Sequence, residues 1–254
     1  MKPKPSPLTA AALLLCTSIV LLSTGQARAE EMDDAPWGLT SSLGVYSDYM
    51  FRGKNVYEGT SIQPSVTGYY GFDELGTLSA NLWMHVPGET NEPPEKFTEL
   101  DATFSYDVSI DVINVAGGFI LYRFPGEGGR IEDTEEYFAS ISANVFLNPT
   151  VTFYNDISKG KYQYFTASIR ESFPVPAVSE NLALTPYTSF GFALNADDGP
   201  VFYENDGLEH VDMGVYFDIQ LGQFFLAPSF NVTLETDDGA TNEFWIGIDF
   251  GVSI

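Results

Sequence analysis

The stretch Phe244–Ile254, F-W-I-G-I-D-F-G-V-S-I, carries an apolar side chain at every even position: Phe244, Ile246, Ile248, Phe250, Val252 and Ile254. Between them stand Trp245, Gly247, Asp249, Gly251 and Ser253. Side chains alternate sides along a strand, so one face of this segment is wholly apolar and the other is mostly small or polar. A terminal amphipathic strand of about ten residues, rich in aromatics, is what an outer-membrane β-barrel uses to close against its first strand. An edge strand of a secreted β-sandwich would carry the same pattern, so the choice falls to the rest of the chain.

From Trp37 onward the same texture repeats: about ten alternating residues, a break, and about ten more. The first strand sets Trp37, Leu39, Leu43, Val45, Tyr49 and Phe51 against Thr40, Ser42, Tyr46 and Asp48. The third sets Leu78, Leu82 and Val86 against Ser79, Asn81 and His85. The fourth sets Leu100, Phe104 and Val108 against Glu99, Asp101, Thr103 and Asp107. The sixth sets Tyr137, Ala139 and Ile141 against Ser140 and Ser142, and the eighth sets Phe165 and Ile169 against Thr166 and Arg170. The tenth opposes Val211, Met213 and Phe217 to His210, Asp212 and Asp218. Continued to the end, the alternation yields twelve strands, an even number that brings both chain termini to one side, the periplasmic one. Odd connections are long and polar (52–60, 87–96, 125–133, 195–207, 236–242), that between strands seven and eight being shorter. Even ones are mostly brief (73–76, 109–111, 147–149, 220–222), with 174–181 as the exception. Short turns on the periplasmic side and longer loops outside are the barrel pattern. The expected fold is therefore all-β: an antiparallel transmembrane up-and-down β-barrel over residues 37–254.

The N-terminal segment fits that destination. Lys2 and Lys4 precede an apolar run from about Leu8 to Leu22, and Ala27-Arg28-Ala29 offers a small-residue cleavage site before Glu30. Residues 1–29 read as a signal peptide and 30–36 as a short periplasmic leader. Cys16, the chain's one cysteine, falls in the removed segment, so no disulfide is expected in the exported protein. Cleavage removes Lys2, Lys4 and Arg28, leaving 8 bases against 35 acids, a formal charge of −27. Such a surface repels nucleic acid. The expected location is the Gram-negative outer membrane. Its partners there would be lipid and lipopolysaccharide, the barrel-assembly machinery and small polar solutes.

The exit of the first strand, Ser47-Asp48-Tyr49-Met50-Phe51-Arg52-Gly53, resembles the S-D-Y-x-F-R-G opening motif of the TorF-like porin family. A strand with a proline near its start follows, here Gln63-Pro64, and strand rhythm fits over about 37–254. The resemblance implies an outer-membrane barrel with a presumed pore and no settled substrate. Barrels of this kind often finish in Phe or Trp, whereas this chain finishes in Ile254.

On the polar faces fall Asp48, Glu99, Asp101, Asp107, Asp156, Asp212, Asp218, Glu235 and Asp249, against Arg170 and Arg52. Carboxylates lining a pore favour cations. In the motif, Asp48 and Arg52 share a parity, so a hydrogen-bonded pair anchoring the first loop is expected. His85 and His210 belong to no nucleophile motif and read as wall residues, and neither a metal nor a cofactor is expected. Asp197-Asp198, Glu204-Asn205-Asp206 and Asp237-Asp238-Gly239 are fragments of calcium-loop patterns that read as solvated turns. Together these features point to a passive porin-like channel for small cationic or neutral polar solutes. A closed structural barrel packed by tyrosines and salt links is the alternative, and a membrane-embedded hydrolase a distant third.

Overall fold

The computed structural model describes residues 36–88, 98–125, 132–158, 162–194, 206–236 and 242–254. The expected signal peptide and nearly all of the leader lie outside these residues, as do Asp197-Asp198, Glu204-Asn205 and Asp237-Asp238-Gly239.

Among the described residues thirteen strands form a single antiparallel sheet. They are β1 (Trp37–Phe51), β2 (Lys54–Gly71), β3 (Thr77–Pro87), β4 (Glu99–Ile110), β5 (Ile113–Arg123), β6 (Thr134–Ala143), β7 (Thr150–Asp156), β8 (Gln163–Arg170), β9 (Phe173–Pro174), β10 (Leu182–Leu194), β11 (Gly207–Leu221), β12 (Phe224–Glu235) and β13 (Glu243–Ser253). β9 is a two-residue appendage on β10. The other twelve each pair with the next, and β13 pairs back onto β1. The ring is therefore closed. Its seam runs from Thr40↔Ser253 to Tyr46↔Gly247, and the backbones of Leu39 and Ile254 exchange bonds of 2.8 and 2.9 Å at its end. No strand edge is left in the ring, as a sheet in hydrocarbon requires.

The faces fall as the alternation predicts, apart from the far end of β1. Phe244, Ile246, Ile248 and Phe250 stand on the outside, with Leu82, Phe104, Ile141, Val151 and Phe230. Ser79, Asn81, Ser105, Thr166, Ser189, Ser229 and Asn231 are buried inside. This is the inverse of a soluble barrel and suits a lipid surround. Within the lumen, the Tyr46 ring lies over Gly44 and Gly247, where a Cβ at either position would collide with it. The glycines of the closing strands thus make room for a lumen aromatic.

At one end the connections are turns: the 3-10 turn Asp73–Leu75, then 111–112, 144–149 and 222–223, with the longer 171–181 the exception. β1 begins and β13 ends on this side. At the opposite end five connections have their tips outside the described residues, and the sixth corrects an expectation. No polar loop spans 52–60: β2 starts at Lys54, and only Arg52 and Gly53 separate it from β1. Both have positive φ, 43° and 86°, the backbone of a primed hairpin turn. Register shifts between Tyr46 and Asp48 and between Tyr49 and Met50 break the β1–β2 ladder just before it. Such bulges bend a strand and re-aim its side chains. Tyr49 and Phe51, expected to face lipid, are consequently turned inward and are each 1% exposed.

Ile248 sits midway along β13 with its side chain outside, next to inward Asp249. Ile248→Arg should lower folding stability by about 2–4 kcal/mol in bilayers, and Asp249→Asn by clearly less. Urea titration of refolded protein in vesicles compares the two, and equal losses would contradict the register.

Candidate functional site

The irregular end of the β1–β2 ladder carries the first hairpin into the barrel mouth, and the residues of the S-D-Y-M-F-R-G motif each have a place there. Ser47 Oγ takes the Ile246 N–H at 3.1 Å, tying the motif to β13. Tyr49 donates its hydroxyl to Glu99 Oε2 at 3.1 Å and stacks on His85 at 4.6 Å. Phe51 is packed into the interior beside Arg52. Gly53 combines a positive φ with a backbone pressed against the His210 ring of β11, leaving no space for a Cβ. Lys54 reaches Glu235 of β12 at 3.0 Å.

Arg52 crosses the lumen. Its two terminal nitrogens donate to the two carboxylate oxygens of Glu136 on β6, at 2.9 and 2.8 Å, in a fork geometry that only a guanidinium provides. The same Nη1 donates to the Tyr162 hydroxyl at 2.9 Å, and Tyr122 of β5 donates to Glu136 at 2.7 Å. The guanidinium carbon lies 4.6 Å from the ring centre of Tyr154 and 4.4 Å from that of Tyr164, with Phe51 at 5.0 Å and Tyr162 at 5.8 Å. These are cation–π distances, and exclusion of water strengthens them. The paired side chains are 2% and 0% exposed. Burial pushes the phenol of Tyr162, in the connection ahead of β8, well above the ordinary tyrosine value, while the Arg52 charge opposes that rise. Tyr162 therefore stays a neutral phenol at the cation.

The expected Asp48–Arg52 pair is absent. Asp48 instead accepts from Ser47 Oγ (2.7 Å) and Asn55 Nδ2 (3.3 Å), because the alternation of β1 reverses at the break between Tyr46 and Asp48 and the tip turns inward. Glu136 escaped the sequence reading. It stands one residue before a strand start placed at Tyr137, yet it shares the parity of Ser140 and Ser142, and that signal would have put it in the lumen.

The other acids divide between two levels. At the packed end, Glu99 and Asp101 are buried on β4, Glu99 opposite His85 and Asp101 between Trp83 and Tyr122, Thr134 donates to Asp156 at 2.6 Å, and Glu235 holds Lys54. Asp212 accepts from Thr233 at 2.8 Å and lies 3.2 Å from Nδ1 of His210, whose Nε2 meets the Tyr164 hydroxyl at 2.7 Å. Nearer the short turns the interior is less tightly filled, and Asp107, Asp218, Asp249 and Arg170 are only partly buried. There Tyr46 donates to both oxygens of Asp249 at 2.7 and 2.8 Å, Thr185 holds Asp218, and Arg170 interacts electrostatically with Asp218.

One arrangement resembles a catalytic dyad: Ser61 Oγ lies 2.8 Å from His85 Nδ1. A hydrolase needs its nucleophile open to substrate. Ser61 and His85 are both fully buried, Gln63 donates to the serine at 2.9 Å, and Tyr49 covers one face of the imidazole. Among the described residues no group of three or more His, Cys, Asp or Glu could hold a metal ion.

No protein-family model and no curated protein matches the chain. Solved structures do. An outer-membrane channel from Pseudomonas putida F1 aligns with a TM-score of 0.55 at 9% identity, covering 88% of this chain and 97% of its own. LpxR from Salmonella typhimurium and the NanC porin each align with a TM-score of 0.51 at 9% identity, covering 85% of this chain and 99% and 98% of theirs. The barrel fold is shared with these outer-membrane proteins.

Removing one partner of a buried ion pair leaves the other uncompensated. Arg52→Ala should cost about 3–5 kcal/mol in refolding stability, larger than the loss for Lys54→Ala at the partly exposed Glu235 contact. Gly53→Ala should cost about 1–3 kcal/mol from the positive φ alone, before the His210 collision adds to it. Denaturant titration of each refolded variant measures these losses.

Proposed function

We propose that the chain is an outer-membrane channel for small cationic or neutral polar solutes, its lumen closed at one end by the Arg52–Glu136 bridge. The observation that carries this reading is the division of the interior. Twelve strands enclose a polar lumen, and toward the short turns that lumen presents partly buried Asp107, Asp218 and Asp249 against, among the described residues, the one base Arg170. A low-dielectric wall focuses the field of such carboxylates on whatever enters. The S-D-Y-M-F-R-G resemblance to TorF-like porins supports the location, with the short turns toward the periplasm and lipid, lipopolysaccharide and the assembly machinery as partners. Fold alone does not decide, since LpxR, an enzyme, shares it. The interior favours a channel because the Ser61–His85 pair is shut away from any substrate.

A second reading has its own observation. Tyr49, Tyr122, Tyr164, Phe51, His85, Glu99 and Glu136 are all under 2% exposed and belong to many different staves of the barrel. A permanently closed structural barrel would look like this. Planar-bilayer recording separates the two readings. A channel should be cation-selective at low salt, and the preference should shrink as the Debye length falls from about 10 Å at 0.1 M to about 3 Å at 1 M. Neutralising Asp107, Asp218 and Asp249 to Asn together should weaken it further. Anion selectivity would overturn the assignment of the charged lumen, and silence under all conditions would favour the closed barrel.

A further inference from the structure

We infer that Glu136, Tyr122, Tyr154, Tyr162 and Tyr164 form a binding site for guanidinium-type cations, which Arg52 occupies as a tethered ligand and thereby closes the lumen. The site belongs to one wall and the ligand to another. All five residues come from β5 to β8 or the connection between β7 and β8, whereas Arg52 arrives on the turn between β1 and β2. The wall is organised independently of that visitor. Tyr122 fixes Glu136 by a 2.7 Å hydrogen bond, and the rings of Tyr154 and Tyr164 contact each other at 6.1 Å, with Phe138 supporting Tyr154 at 6.1 Å.

The chemistry of the wall names its ligand. A carboxylate with both oxygens presented matches the two parallel N–H bonds of a guanidinium, and flanking ring faces at 4.4 and 4.6 Å match a flat, weakly hydrated cation. A compact ammonium would meet the charge but neither the fork nor the stacking. Arg52 reaches this cage on a two-residue turn that follows two register shifts in the β1–β2 ladder. A solute of the same chemistry competes with a tethered group for one site, and its differential affinity shifts the population toward the displaced hairpin. The lumen would then open to guanidinium-bearing solutes, a narrower class than cations at large. The opening rests on the channel reading, whereas the site itself does not.

Arg52→Ala empties the cage, and methylguanidinium chloride is the probe, with sodium chloride at matched ionic strength as control. Arg52→Met, which keeps an apolar stem, serves if the alanine variant does not refold. The expected result is a saturable rise in melting temperature with methylguanidinium in the variant. That rise should be small in the unmodified protein, where Arg52 fills the site, and lost when Glu136→Gln is added. In bilayers the variant should conduct more than the unmodified protein, and methylguanidinium should block it. If methylguanidinium stabilises the variant no more than sodium does, the site is overturned, even if the barrel conducts. If it binds saturably but no variant conducts, the site stands and the channel reading falls.

Discussion

Hydrocarbon offers no hydrogen bonds, and the rest of the structure follows from that constraint. A backbone that crosses it as strands must pair every interior N–H and C=O with a neighbour, which for a sheet means joining its last strand to its first. β13 supplies that join to β1. Once the ring is closed, each strand has a lipid side and a lumen side, and a residue's parity decides which solvent it meets. The apolar even positions of β13 and the acids of β4 and β11 are two results of one geometric rule.

The lumen then poses its own problem. Polar side chains inside a narrow ring lose water on every side, and an unpaired buried charge is far more costly than a paired one. The protein meets this differently at its two ends. Toward the short turns the acids remain partly hydrated or accept from hydroxyls, as Asp249 does from Tyr46 and Asp218 from Thr185. At the other end hydration gives way to packing, and the charge of Glu136 is met by Arg52 inside a box of phenols. Tyrosine suits this position because a ring fills space while its hydroxyl satisfies a neighbour.

Most of the strands were legible in the sequence because period-two alternation is imposed by lipid on one side and lumen on the other. The faces of β3, β4, β8, β10, β11, β12 and β13 follow directly from it. Legibility failed where the period itself was broken. Inward facing passes from even to odd positions of β1 where the β1–β2 ladder first breaks, between Tyr46 and Asp48, so Tyr49 and Phe51 fall inside, and no local pattern announces such a break. The Arg52–Glu136 pair was unreadable for a different reason. Its partners are 84 residues apart and meet across the ring rather than along a ladder, so neither strand parity nor sequence spacing joins them. Asp48, four residues from Arg52, was the nearer candidate by sequence, and the inward turn of the hairpin passed it by.

Pairing around a ring fixes its circumference but leaves its shape free, since a cylinder of twelve hinged staves can flatten without breaking one hydrogen bond between neighbours. The β1–β2 tip carries Arg52 to the sixth through eighth staves, across the ring from its own, while Gly53 and Lys54 brace the same tip against β11 and β12. Together they work as a strut. Contacts that join facing walls at that level oppose flattening of the mouth, a restraint that pairing between neighbouring strands does not supply.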